Sequence, residues 1–128
     1  MSGDTAKSIR GEVPVEVCGR QLTIAPTFRA IEAIEVRLGV GIPQLLARCI
    51  SGDMRIRDMT VIVHEGIKGA GYHGRNGTAE LLKFEEIGED VLEHVGIYAT
   101  AVGKFLGNAL GGTDQKKDLA PTLPTPGL

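Results

Sequence analysis

Val13-Pro14-Val15-Glu16-Val17-Cys18-Gly19-Arg20-Gln21-Leu22-Thr23-Ile24 is the stretch that decides the fold. Val13, Val15 and Val17 alternate with Pro14 and Glu16, the period of two that marks a half-buried strand. Gly19 accepts a left-handed backbone without a Cβ clash, so Cys18-Gly19-Arg20 can make a turn. Gln21 to Ile24 alternates again, which predicts a hairpin within residues 11–25. Its apolar face carries Val13, Val15, Val17, Leu22 and Ile24, and its other face is polar.

A two-stranded hairpin is marginal alone in water and needs apolar cover. The following residues supply an amphipathic helix. Pro26 suits its entry, Thr27 its N-cap, and Gly39 its C-terminal stop. Phe28, Ile31, Ile34 and Leu38 form the expected stripe, with Arg29, Glu32, Glu35 and Arg37 mainly away from it. The hairpin is expected to pack on this helix and on the last one.

Working outward, Pro43 opens a short helix to about Ile50, with Leu45, Leu46, Cys49 and Ile50 inward. A third helix runs from about Arg57 to Lys68, with Met59, Ile62, Val63 and Ile67 on its stripe. Five glycines between Gly66 and Gly77 predict a loop. Thr78 caps a short segment with Leu81, Leu82 and Phe84. Glu85, Glu86, Glu89 and Asp90 precede a long last helix, about Glu89 to Leu110, where negative charge favours the N-terminus. Its stripe holds Val91, Leu92, Val95, Tyr98, Ala99, Val102, Phe105, Leu106, Ala109 and Leu110, and Gly111-Gly112 ends it. The fold class is mainly α with an N-terminal β-hairpin (α+β), a compact bundle of four to five helices. Residues 1–10 read as a flexible arm, 11–112 as one globular domain and 113–128 as a disordered Pro-rich tail.

Composition excludes several classes. The chain has 128 residues and a net charge of −2, with Lys and Arg scattered, so no basic patch announces nucleic acid. A small DNA-binding regulator would need a basic recognition helix, and only Arg55 and Arg57 stand close together at a helix start. Aromatic residues are 4% of the chain, so the core is built from aliphatic side chains. Cys18 and Cys49 lack metal or redox spacing and read as free thiols of a reducing compartment. No apolar run approaches the roughly 18 residues that span a bilayer, and no signal peptide is visible.

The search for chemistry returns no catalytic constellation. Gly69-Ala70-Gly71-Tyr72-His73-Gly74 has the letters of a dinucleotide fingerprint but follows a helix end rather than a strand. His64, His73 and His94 sit in three different elements. Asp90 and His94, four apart, read as a surface ion pair rather than metal ligands. Ser2, Ser8 and Ser51 lie outside any nucleophile elbow, and Cys49 falls on an apolar stripe. The acidic group before the last helix reads as helix-start charge rather than an acid/base pair. No catalytic, cofactor-binding or metal residues are assigned, and the chain is expected not to be an enzyme.

One feature stands apart. Gly96, Gly103 and Gly107 lie within about 40° of one another on the last helix, beside Ala99. Each glycine costs about 1 kcal/mol relative to Ala inside a helix. Either another helix of the same chain packs closely there, or the strip forms a groove for a partner helix. Gly96, Ala99, Gly103 and Gly107 are therefore the candidate partner-binding residues.

The run Gly11-Glu12-Val13 through Leu22-Thr23-Ile24, then Phe28 to Glu35 and Leu38-Gly39-Val40, resembles the small tail proteins of alphaproteobacterial gene transfer agents. Asp58-Met59 and Gly66-Ile67-Lys68-Gly69-Ala70-Gly71 are similar to the family's later block, so the likeness covers roughly Gly11 to Gly111. The sequence departs in a longer Gly-rich loop, His73 to Gly77, and an extended Pro-rich tail. That family is labelled a tail tube protein in some usage and a tail assembly chaperone in other usage. The resemblance implies no catalysis and a chaperone that coats the helical tape-measure protein while the tube polymerises. It implies the tape-measure protein as partner, with the tail tube protein as a second candidate and self-association left open. It also implies the cytoplasm of the bacterial host and absence from the mature particle.

Overall fold

The computed structural model describes residues 9–78 and 81–111. The predicted tail, 113–128, and residues 1–8 of the predicted arm lie outside the described residues. Strands β1 (Val13–Val17) and β2 (Arg20–Ile24) pair antiparallel, with Val13 opposite Ile24, Val15 opposite Leu22 and Val17 opposite Arg20. Cys18 and Gly19 form the two-residue loop, with φ of +51° and +79°. Two successive left-handed residues match the twist of a hairpin. The predicted apolar face is buried, and Pro14, Glu16 and Gln21 on the other face are exposed.

Five helices follow: α1 (Phe28–Leu38), α2 (Ile42–Ser51), α3 (Ile56–Gly71), α4 (Phe84–Glu93) and α5 (Val95–Ala109). Helix α3 is the hub. Eleven of its residues are buried, because α1, α4, α5 and β2 all pack around it. A helix apolar on most sides must lie in the middle of a bundle.

The loop predicted from Gly66 onward begins later than the glycines suggest. α3 continues to Gly71, and Gly66 and Gly69 are buried inside it. A Cβ on Gly66 would come within 2.7 Å of the Ile24 Cβ, and one on Gly69 within 2.9 Å of the Ala30 Cβ and 3.0 Å of the Ala25 carbonyl. The chain leaving β2 crosses α3 at these two positions, and the Ala25 amide donates to the Gly66 carbonyl at 3.1 Å. Missing side chains here allow contact rather than flexibility. The loop beyond α3 is tied back to the hairpin. Asn76 Oδ1 accepts from the Thr23 amide and Asn76 Nδ2 donates to the Thr23 carbonyl, both at 2.8 Å.

Other expectations change in phase. The hairpin meets α3 through β2 and α5 through β1, and α1 packs on α3 instead. Thr27 Oγ1 caps α1 by accepting from the Ala30 amide. The face so presented buries Ala30 and Ile34 and leaves Phe28 82% exposed. On α2, Ile42 and Leu45 are buried and Ile50 points outward. The long last helix is two helices with a corner at His94, whose φ of −134° and ψ of 48° are not helical. The change of axis leaves Leu92, Val95 and Leu110 exposed rather than on a continuous stripe.

Gly69→Ala should therefore lose about 1–3 kcal/mol to overpacking although alanine is the better helix former. Gly107→Ala, where a Cβ meets nothing within 4 Å, should gain up to about 1 kcal/mol. Urea unfolding of both variants checks the pair, and two stabilised variants would remove the crossing from the account.

Candidate functional site

Helix α4 carries the most distinctive surface. Glu86 closes its start by accepting from the Lys83 amide at 2.9 Å, and Glu85 and Glu86 suit the first turn. Four-residue spacing puts Phe84, Gly88 and Leu92 in one row and Glu85, Glu89 and Glu93 in the next. Between α4 and the start of α3 lies an open groove of about 400 Å³. Ile56, Thr60, Phe84, Gly88 and Leu92 line it, with Arg57 on the α3 side and Glu85 and Glu89 on the α4 side. Leu92 is 63% exposed, and Gly88 leaves the floor low, a Cβ there reaching only ordinary contact with Thr60 at 3.6 Å.

Phe84 anchors this groove to the body. The His64 ring meets it edge-on at 5.7 Å. The guanidinium groups of Arg37 and Arg57 lie 5.0 and 5.7 Å from its centroid, within range for cation–π attraction. Arg37 is itself held by Glu65 at 2.8 Å and donates to His64 Nδ1 at 3.1 Å. An imidazole accepting there carries its proton on Nε2 and is neutral. Burial lowers the His64 pKa first, and Lys68 and Arg37 lower it further against the opposing pull of Glu65 and Glu85.

A second polar node braces the corner between α4 and α5. Asp90 Oδ2 accepts from the Tyr98 hydroxyl at 2.5 Å and from the Cys18 amide at 3.1 Å. Eight residues span about 12 Å along a straight helix, so the corner at His94 helps bring these two side chains together. Burial and the Asp90 carboxylate push the Tyr98 pKa far up, keeping the hydroxyl a donor. Asp90 Oδ1 lies 3.6 Å from His94 Nδ1, and Glu93 completes a group whose ligand atoms fall within 4.8 Å. Asp90 itself is committed to Tyr98 and Cys18 and braces the hairpin turn, whereas Glu93 is exposed. Both thiols are free, and burial raises the pKa of each, favouring the protonated form.

The glycine strip is divided. α2 packs on α5 so that a Cβ on Gly103 would sit 3.3 Å from Cys49 Sγ, and Cys49 also contacts the Ala99 carbonyl at 3.8 Å. A Cβ added on Gly96 or on Gly107 would meet nothing within 4 Å. Ala99 and Gly103 thus lie under α2, whereas Gly96 and Gly107 stand open. Gly69 and Gly71 of the fingerprint letters lie in the last turn of α3, so a helix rather than a strand leads into them. The sequence reading missed Phe84, Gly88 and Leu92 as a surface because it began the last helix at Glu89. The four-residue spacing of 84, 88 and 92 was the available signal.

A protein-family profile described as "Phage tail tube protein, GTA-gp10" matches residues 10–108. The chain belongs to this family. The match runs from before β1 almost to the end of α5, so the groove lies within it. The tail-protein resemblance read from the hairpin and α1 is thereby supported, with a role in a gene-transfer-agent tail. No curated protein and no solved structure matches the chain. Among the described residues, no helix is long and apolar enough to cross a membrane.

Two measurements check this geometry. A lowered folded pKa means that the unfolded chain protonates His64 first, so stability is full above about pH 6.5 and falls as pH drops through that value. His64→Gln should flatten the decline between pH 7 and 5.5, and an unchanged slope would place its origin elsewhere. Gly103→Ala should cost up to about 1 kcal/mol, and Cys49→Ala in the same chain should cancel that loss. A thermal-melt double-mutant cycle without coupling would contradict the α2–α5 contact.

Proposed function

We propose that this GTA-gp10 family member is a tail assembly chaperone. It holds the helical tape-measure protein while tube subunits polymerise around it, and then leaves. The observation that carries this reading is the open apolar groove between α3 and α4 on a helix-rich body. Helix-in-groove recognition uses such a surface. The protein acts without catalysis, in the cytoplasm of the bacterial host, and is absent from the mature particle. The tail tube protein is a second partner in the same assembly, and self-association is compatible with the open surface.

The family's printed description favours a second reading, a subunit that stays in the tube. Against it stands the small sheet. A tube wall needs long strands that continue between subunits, whereas the described residues contain one hairpin of five-residue strands. Thr23 on the outer edge of β2 is already bonded to Asn76, and Pro14 in β1 has no amide to donate.

Co-expression with the tape-measure protein of the same particle tests the proposal. The expected result is a complex that survives gel filtration, with no retention of duplex DNA. Mass spectrometry of purified particles should find the protein absent. Its presence in many copies would favour the tube subunit, and retention on DNA would favour a regulator.

A further inference from the structure

We infer that the α3–α4 groove docks a cationic amphipathic helix of the partner, its apolar residues along Phe84–Gly88–Leu92 and its lysines or arginines over Glu85, Glu89 and Glu93. This deepens the chaperone reading and rests on it for the identity of the partner. The charge pattern selects the occupant. α4 holds five carboxylates and no cation. Two of them work inside the fold, Glu86 on the Lys83 amide and Asp90 on Tyr98 and Cys18. The other three project from consecutive turns, all exposed, and none joins an ion pair among the described residues.

The apolar row beside them is equally unpartnered at its far end. Leu92 is exposed by 63%, Phe84 is partly buried, and Gly88 between them supplies a dip rather than a ridge. A ridge of side chains from a second helix can seat in such a dip. The row spans about 12 Å, a little over two helical turns, so a segment of about nine residues would fill it. Arg57 is the cation among the residues lining the groove, and Arg37 beside the Phe84 ring is already paired with Glu65, so the carboxylate row dominates the groove's field. Carboxylates beside an apolar trough reject an acidic helix and favour a basic one.

The test uses the full chain and three synthetic 14-residue peptides: a Leu/Lys amphipathic helix, its Lys→Glu counterpart, and a Leu/Lys version with two central prolines. Fluorescence anisotropy should show the Leu/Lys helix binding at least tenfold more tightly than either control, and more weakly as salt rises. Leu92→Glu should lose at least tenfold. Glu85→Lys with Glu89→Lys should reverse the preference towards the Glu peptide, a swap that a folding defect would not produce. Gln44→Ala, at an exposed position of α2 outside the groove, should bind as wild type does. Equal binding of the Lys and Glu peptides, full binding of the proline peptide, or an unaffected Leu92→Glu would each overturn the inference. Capture of the tape-measure protein by wild type and Leu92→Glu alike would also overturn the groove and leave the chaperone reading standing. Failure of wild type to capture it, with the peptide preference intact, would sink the chaperone reading and keep the groove.

Discussion

The close crossing of the β2 exit over α3 is the constraint on which the rest of the structure depends. Gly66 and Gly69 remove the side chains that would hold Ile24, Ala25 and Ala30 away, and the Ala25 amide bonds directly to the Gly66 carbonyl. Once that contact is made, α1 must start beside α3 and pack along it. The hairpin is then pressed between α3 and α5. Its turn is gripped by Asp90 of α4, which also takes the Tyr98 hydroxyl of α5. An unsatisfied buried hydroxyl or amide costs about 1–3 kcal/mol, so this one carboxylate sets the relative placement of three elements.

That arrangement also explains where the molecule remains open. α3 is enclosed by α1, β2 and α5, and α4 covers its remaining side. Ile56, Arg57 and Thr60 at the start of α3 line the groove beside α4. Phe84 is fixed by His64, Arg37 and Arg57, so the groove has a rigid end. Its other end, at Leu92, is exposed. A preformed surface of this kind loses little freedom on binding.

The sequence made the hairpin legible because the alternation of Val13, Val15 and Val17 admits one register, and a slip by one residue would expose all three. α1 was legible from its caps, Thr27 and Gly39, which act as expected. The glycines of α3 misled because local propensity assigns Gly66 and Gly69 to a loop, while their need comes from residues about forty positions away. The corner at His94 carries no proline or glycine, and its stabilising bond joins side chains eight apart. The groove stayed hidden behind that error: with the helix begun at Glu89, Phe84 and Glu85 never shared its face. The strip of Gly96, Ala99, Gly103 and Gly107 was found by spacing alone, and spacing could not show that α2 covers only its middle.

Amide hydrogen exchange on the protein mixed with the proposed partner, the tape-measure protein, tests the central claim most directly. The account predicts new protection in residues 84–93 and 56–60, with the hairpin and α5 unchanged. Protection confined to the hairpin and the open face of α5 would contradict it.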